Sequence, residues 1–143
     1  ETNEAILNII AASGFKTENL YTQITDGGSH AMELVILGTC GSAGSKEKPL
    51  MLIEAAYTNY LAMANRTGRS TISIMRQLME NGKFNLPEIS EIEEIIKEYK
   101  PGALLVIPYD NPTGHFLDHE TMVNLAKLCV KYNIWMISDE AYC

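Results

Sequence analysis

"ALLVIPYDNPTGHFLDHETMVNLAKLCVKYNIWMISDEAY", residues 103–142, decides the architecture. The run "ALLVI" (103–107) is apolar at every position and reads as a strand. "DNPTG" (110–114) is a turn, because proline and glycine interrupt both helices and strands. "LDHETMVNLAKLCVKYN" (117–133) has the spacing of an amphipathic helix, and "IWMIS" (134–138) is a second apolar strand. A strand without alternation is apolar on both of its faces, so it belongs in a sheet covered on each side.

The same alternation continues upstream. "PLMLIE" (49–54) predicts a strand, followed by a helix over "YTNYLAMANRTG" (57–68) that closes at Gly68. "STISIM" (70–75) is β-branched and strand-like, Asn81-Gly82 marks a turn, and Pro87 opens the next helix. That helix, "EISEIEEIIKEY" (88–99), sets Ile89, Ile92, Ile95 and Ile96 on one stripe. Its acids come early, and Lys97 and Lys100 come late, as the helix dipole favours. Near the start, residues 2–13 predict a short helix capped by Thr2, with Ile6, Leu7, Ile9 and Ile10 as its apolar face and Gly14 as its stop. "YTQIT" (21–25) predicts a first strand, and "AMELVILGTC" (31–40) a buried helix.

Five strands alternating with helices predict an α/β fold: three αβα layers around a mainly parallel sheet. Size and composition suit one domain, with 143 residues, 46% hydrophobic and 20% charged. No repeat, low-complexity tract or linker interrupts it. Residues 1–20 form a leading helix and connection, and residues 21–143 the body of the domain.

A net charge of -7 repels nucleic-acid phosphate and anionic lipid, which argues against both as partners. Cys40, Cys129 and Cys143 show neither a C-x-x-C pair nor metal-ligand spacing, so reduced thiols and no metal are expected. The acidic opening "ETNEAILNIIAASG" is unlike a signal peptide, and no apolar run is long enough to span a bilayer. A soluble, cytoplasmic protein is the expectation, although a trimmed N-terminus would have erased any targeting segment.

Ligands of open parallel sheets bind beyond the carboxyl ends of the strands, and four stations fall there. Gly27-Gly28-Ser29-His30 feeds two glycines into a helix start, whose N–H groups suit a phosphate, although such a turn is also a common connector. G-x-G-x-x-G and G-x-x-x-x-G-K-[ST] are both absent. Tyr57 and Tyr60, three apart at the next helix start, also fit ordinary core packing. Asn111 sits in a tight turn that fixes its amide. Asp139 ends the last strand, where a carboxylate is costly unless it meets a cation or several donors.

Taken in order, these stations resemble the class I and II aminotransferases, the aspartate-aminotransferase-like group of fold type I pyridoxal-phosphate (PLP) enzymes. From about Leu20 to Tyr142, "ITDGGSHA" looks like the family's phosphate-cup segment, "EAAYTNY" its aromatic segment, "NPTG" its asparagine turn, and "SDEAY" its ring-nitrogen aspartate and phenol. The resemblance implies pyridoxal 5'-phosphate as cofactor, with residues 21–143 as part of the large domain that binds it. Gly28, Ser29 and His30 would hold the phosphate, Tyr57 would lie over the ring, and Asn111 and Tyr142 would donate to its phenolic oxygen. Asp139 would pair with the ring nitrogen and keep it protonated. An amino acid and a 2-oxo acid would be the substrates, and a homodimer the assembly.

Departures accompany the match. The family's Schiff-base lysine follows the aspartate in a serine-rich segment, and this sequence stops at Cys143 before reaching one. Lys16, Lys46, Lys48, Lys83, Lys97, Lys100, Lys127 and Lys131 read as turn or helix-surface residues. The downstream serine and arginine of the phosphate cup, the arginine for the substrate carboxylate and most of the small domain are also missing. His30 is unusual at its position, and Asp110 adds a negative charge expected to face solvent. The expectation is therefore a partial domain, inactive alone and completed by the remainder of its own polypeptide, with a gap in its sheet between the fifth strand and the first. Three other readings stay open: a non-catalytic aminotransferase-like ligand-binding or regulatory module, a fold type I lyase or synthase, and a nucleotide-binding α/β domain using Gly27-Gly28.

Overall fold

The computed structural model describes residues 2–142 and divides into two compact units, residues 1–31 and 32–143. Among the described residues eleven elements follow one another: α1 (Thr2–Ala12), α2 (Gly27–Thr39), β1 (Leu50–Ile53), α3 (Thr58–Arg66), β2 (Thr71–Ile74), β3 (Gln77–Leu78), β4 (Phe84–Asn85), α4 (Ile89–Tyr99), β5 (Ala103–Val106), α5 (His119–Tyr132) and β6 (Trp135–Ser138).

In the first unit α1 ends at Ala12, one residue short of the predicted Ser13, and takes in Thr2, the expected cap, as its first residue; Gly14, at a φ of 88°, takes the left-handed conformation that follows its end. The apolar face of α1 is only half-covered, and none of its residues is buried. The predicted strand over residues 21–25 does not form. This segment is irregular, with Tyr21 93% exposed and Ile24 also exposed. Its single core-type aliphatic residue does not repay ordering a strand with no ladder to join. Thr22 Oγ1 instead donates to the Asn3 carbonyl at 3.2 Å.

The second unit carries a four-stranded sheet in the order β2-β1-β5-β6, with every neighbouring pair parallel. Because residues 21–25 form no strand, the sheet is continuous, and the expected internal gap is absent. β2 and β6 are its edges. Uninterrupted apolar sequence has the predicted consequence: β1 and β5 are buried at all four positions.

Residue alternation divides the core into two layers. Met51, Ile53, Leu104 and Val106 face Ile92 and Ile96 of α4 and Leu125, Leu128 and Cys129 of α5. Leu50, Leu52, Ala103, Leu105 and Ile137 face Ile36 of α2 and Tyr60 and Met63 of α3. Each fully buried aliphatic side chain of this kind contributes about 1.5–3 kcal/mol of transfer free energy. The expectation of a buried helix over residues 31–40 is corrected: Ile36 is buried, but Leu34, Val35 and Leu37 are exposed.

Helix ends follow local chemistry. Glu88, not Pro87, borders α4, where it forms a reciprocal capping box with Glu91. Asp118 caps α5 by accepting from the Thr121 N–H at 2.8 Å, and these hydrogen bonds hold its carboxyl below the usual range. The Asn81-Gly82 turn does more than predicted, closing an antiparallel hairpin of β3 and β4. Cys40 and Cys129 are free thiols, with burial pushing Cys129 up to about 11, and Cys143 lies outside the described residues.

Candidate functional site

Parallel register aligns the strand ends. Ile53 pairs with Ile74, Leu52 with Leu105, and Val106 with Ser138, so the residues following β1, β2, β5 and β6 emerge on one rim. Tyr57, Asn111, Asp139 and Tyr142 all lie in those following segments.

Asp139 comes first beyond β6, and its own N–H donates to the Val106 carbonyl at 2.9 Å, extending the ladder by one bond. Its carboxylate is half-buried and doubly held: Oδ1 accepts from the Ala141 N–H at 3.0 Å, and Oδ2 accepts from the Tyr60 hydroxyl. Tyr60 is buried in the first turn of α3, a site reached because β1 delivers the helix directly above the sheet. Burial pushes the Tyr60 phenol well above its ordinary range, and the hydrogen bond to Asp139 and that anion's charge push the same way. The phenol therefore remains a donor to Asp139 across the physiological range.

Tyr57 borders α3 and meets the Tyr60 ring edge-on, with centroids 5.6 Å apart and planes at 77°. The Asn59 amide donates to its hydroxyl at 3.0 Å. On the neighbouring segment Asn111 Nδ2 donates to Tyr142 Oη at 3.0 Å, and Tyr142 is close enough to Tyr60 to act on its phenol electrostatically. One anion, two polar donors and an aromatic face thus occupy one rim. This set suits a planar, cationic heteroaromatic ring bearing an oxygen substituent.

Gly28, Ser29 and His30 belong to the 1–31 unit, where they form the first turn of α2. Gly27 opens that turn at a φ of 83°, which glycine adopts without steric cost. The Asp26 N–H donates to His30 Nδ1 at 3.3 Å, so the imidazole serves as a local cap. The first-turn N–H groups have no intrahelical acceptors, and no heavy atom comes within 4 Å of a Cβ placed on Gly28. A phosphate is a suitable ligand for such a turn.

Three residues of the rim, Tyr60, Arg76 and Asp110, are not legible in the sequence. Tyr60 was visible only as one of two aromatics three apart, and nothing local says which would turn toward Asp139. Asp110 was expected in solvent, but its side chain is 7% exposed and paired with Arg76, itself 1% exposed, at 2.7 Å. A sequence cannot show that two groups 34 positions apart are neighbours. A concavity of about 1270 Å³ lies at the opposite rim among Lys48, Gly102, Asn133 and Trp135, and contains none of these residues.

Comparison with known proteins agrees with the geometry. The family model for aminotransferase class I and II matches residues 3–143. The chain is 28% identical over 127 residues to an inactive alanine aminotransferase of Saccharomyces cerevisiae, covering 87% of this chain and 24% of that protein. It is 26% identical over 140 residues to the uncharacterized HTH-type transcriptional regulator YdeF of Bacillus subtilis, covering 97% of this chain and 28% of that one. Among solved structures, a PLP-bound C-S lyase from Staphylococcus hominis superposes with a TM-score of 0.71 at 13% identity, covering 93% of this chain and 34% of the other, a likeness of fold. The chain spans about a quarter of the length of the curated relatives it matches. With the family model matched over nearly its whole length, a parallel αβα sheet and this rim, the chain belongs to the class I and II aminotransferases and has the fold of the PLP-dependent transferases.

Proposed function

We propose that residues 21–143 form part of the PLP-binding large domain of an aminotransferase, which moves an amino group between an amino acid and a 2-oxo acid. The observation that carries this reading is Asp139, a carboxylate at the tip of the edge strand β6, oriented by Tyr60 and Ala141 N–H and flanked by Tyr57, Asn111 and Tyr142.

PLP, when bound, supplies an electron sink for the substrate's α-carbon, effective while its ring nitrogen is protonated. Asp139 keeps that proton in place, because an adjacent anion favours the cationic form. Tyr60 holds the carboxylate in one orientation and remains neutral while doing so. Tyr57 presents an aromatic face to the ring, and Asn111 and Tyr142 donate to the phenolic oxygen. Gly28, Ser29 and His30 bind the phosphate through the first-turn N–H groups of α2. A cytoplasmic homodimer, completed by the remainder of its own polypeptide, belongs to the same proposal.

The test uses the natural full-length protein with added PLP. Visible cofactor absorbance together with amino transfer to a 2-oxo acid is the expected result. Absorbance without transfer would favour one of two other readings. A regulatory module has support from the likeness to the B. subtilis regulator, and a lyase from the likeness to the S. hominis fold. No absorbance at all would overturn the cofactor assignment.

A further inference from the structure

Arg76 follows β2 and is the one charged residue among the described residues whose side chain is almost completely enclosed together with its counter-ion. Nε donates to the Glu54 carbonyl, and one terminal nitrogen donates to the Ala55 carbonyl at 3.2 Å and to Asp110 Oδ2 at 2.7 Å. The Phe84 ring of the β3–β4 hairpin packs 5.5 Å from the guanidinium carbon. Asp110 Oδ2 also accepts from the Thr113 hydroxyl, while the Asp110 backbone closes the turn through His115 O and Gly114 N, each at 2.9 Å.

One planar cation is therefore bonded to two loops. Residues 54–55 begin the loop that carries Tyr57, and Asp110 is the direct neighbour of Asn111. A guanidinium this enclosed has no water to replace a lost partner, so its acceptors are held in fixed positions. An exposed pair would leave both loops free to move.

We propose that Arg76 and Asp110 are positioning residues, a buried ionic link that sets the Tyr57 loop and the Asn111 turn relative to each other. Its relevance to cofactor binding rests on the functional reading above. The link itself does not.

Two measurements on the full-length protein separate these. In the cofactor-free protein, amide hydrogen exchange is followed over residues 54–57 and 110–115. Asp110→Asn keeps the shape and removes the charge, and is expected to accelerate exchange in both segments by about tenfold or more. Arg76→Met should do the same, with Arg76→Lys as the variant if the methionine form does not fold. Acceleration confined to residues 110–115 in Asp110→Asn overturns the proposal.

In the PLP-loaded protein, the pH midpoint of the visible absorbance is compared for Asp110→Asn, Asn111→Ala and the double variant. If Asp110 acts through Asn111, each single change raises the midpoint by about one pH unit, and the double change raises it no further than Asn111→Ala alone. Additive shifts overturn the positioning role. An unmoved midpoint in Asn111→Ala with both segments still exchanging together removes the cofactor role of Asn111 and leaves the link standing.

Discussion

Asp139 and Tyr60 carry opposite parts of one interaction, and two substitutions separate them. Asp139→Asn keeps the hydrogen-bonding shape but removes the anion, so amino-transfer turnover of the full-length protein should fall by on the order of 10² or more, with the melting temperature little changed. Steady-state kinetics beside thermal unfolding checks this, and wild-type turnover in the variant would remove Asp139 from the ring-nitrogen role. Tyr60→Phe addresses stability. The folded-state phenol is raised above its unfolded value of 10.0, so its contribution is present below that pH. As pH rises past 10.0 the unfolded chain loses the proton and the folded chain retains it, and stability declines. Urea unfolding between pH 8 and 11 should show a smaller alkaline loss in Tyr60→Phe than in the parent. Asp139 and Asn111 were legible in the sequence because a strand end and a proline turn are local features. Tyr60, Arg76 and Asp110 were not, since each acquires its role from a partner more than thirty positions away.

The elements have their own tests at the amino-end rim, where two neighbouring positions give opposite signs. Gly102 lies so close to the C-terminal end of α2 that a Cβ there would stand 2.2 Å from the Thr39 carbonyl oxygen and 3.1 Å from Cys40 Cα. Gly102→Ala must move backbone, and should cost about 1–3 kcal/mol of unfolding free energy in urea titrations. Lys100 ends α4 at φ 47° and ψ 60°, a left-handed conformation unfavourable for a side chain. Lys100→Gly should stabilise by up to about 1 kcal/mol in the same titrations, the relief being offset in part by a more flexible unfolded chain. Strands β1, β5 and β6 and helices α4 and α5 were legible because their apolar residues recur with the right period. Residues 21–25 misled because β-type residues without a neighbouring strand have no ladder to join, and the β3–β4 hairpin was missed because two-residue strands are too short to show a pattern.

At the scale of the 32–143 unit, apolar surface is left open. β6 has β5 as its sole ladder partner among the described residues, and Trp135 and Val130 stand 66% and 83% exposed beside the concavity at the amino-end rim. A polypeptide of these 143 residues alone should bind a hydrophobic dye and self-associate with concentration, measured by fluorescence and by light scattering; a monomer without dye binding would contradict this. The alternation of β1, β2, β5 and β6 with α3, α4 and α5, the parallel sheet with two covered faces and the motifs after β1, β5 and β6 were determined by sequence, because they depend on local period, turn chemistry and the burial of apolar runs. Only the tertiary structure decided which groups meet at the rim. Tyr60 reaches Asp139 and Arg76 reaches Asp110 because strands distant in the chain lie side by side in register, and hydrogen bonds and ion pairs depend on separation in space.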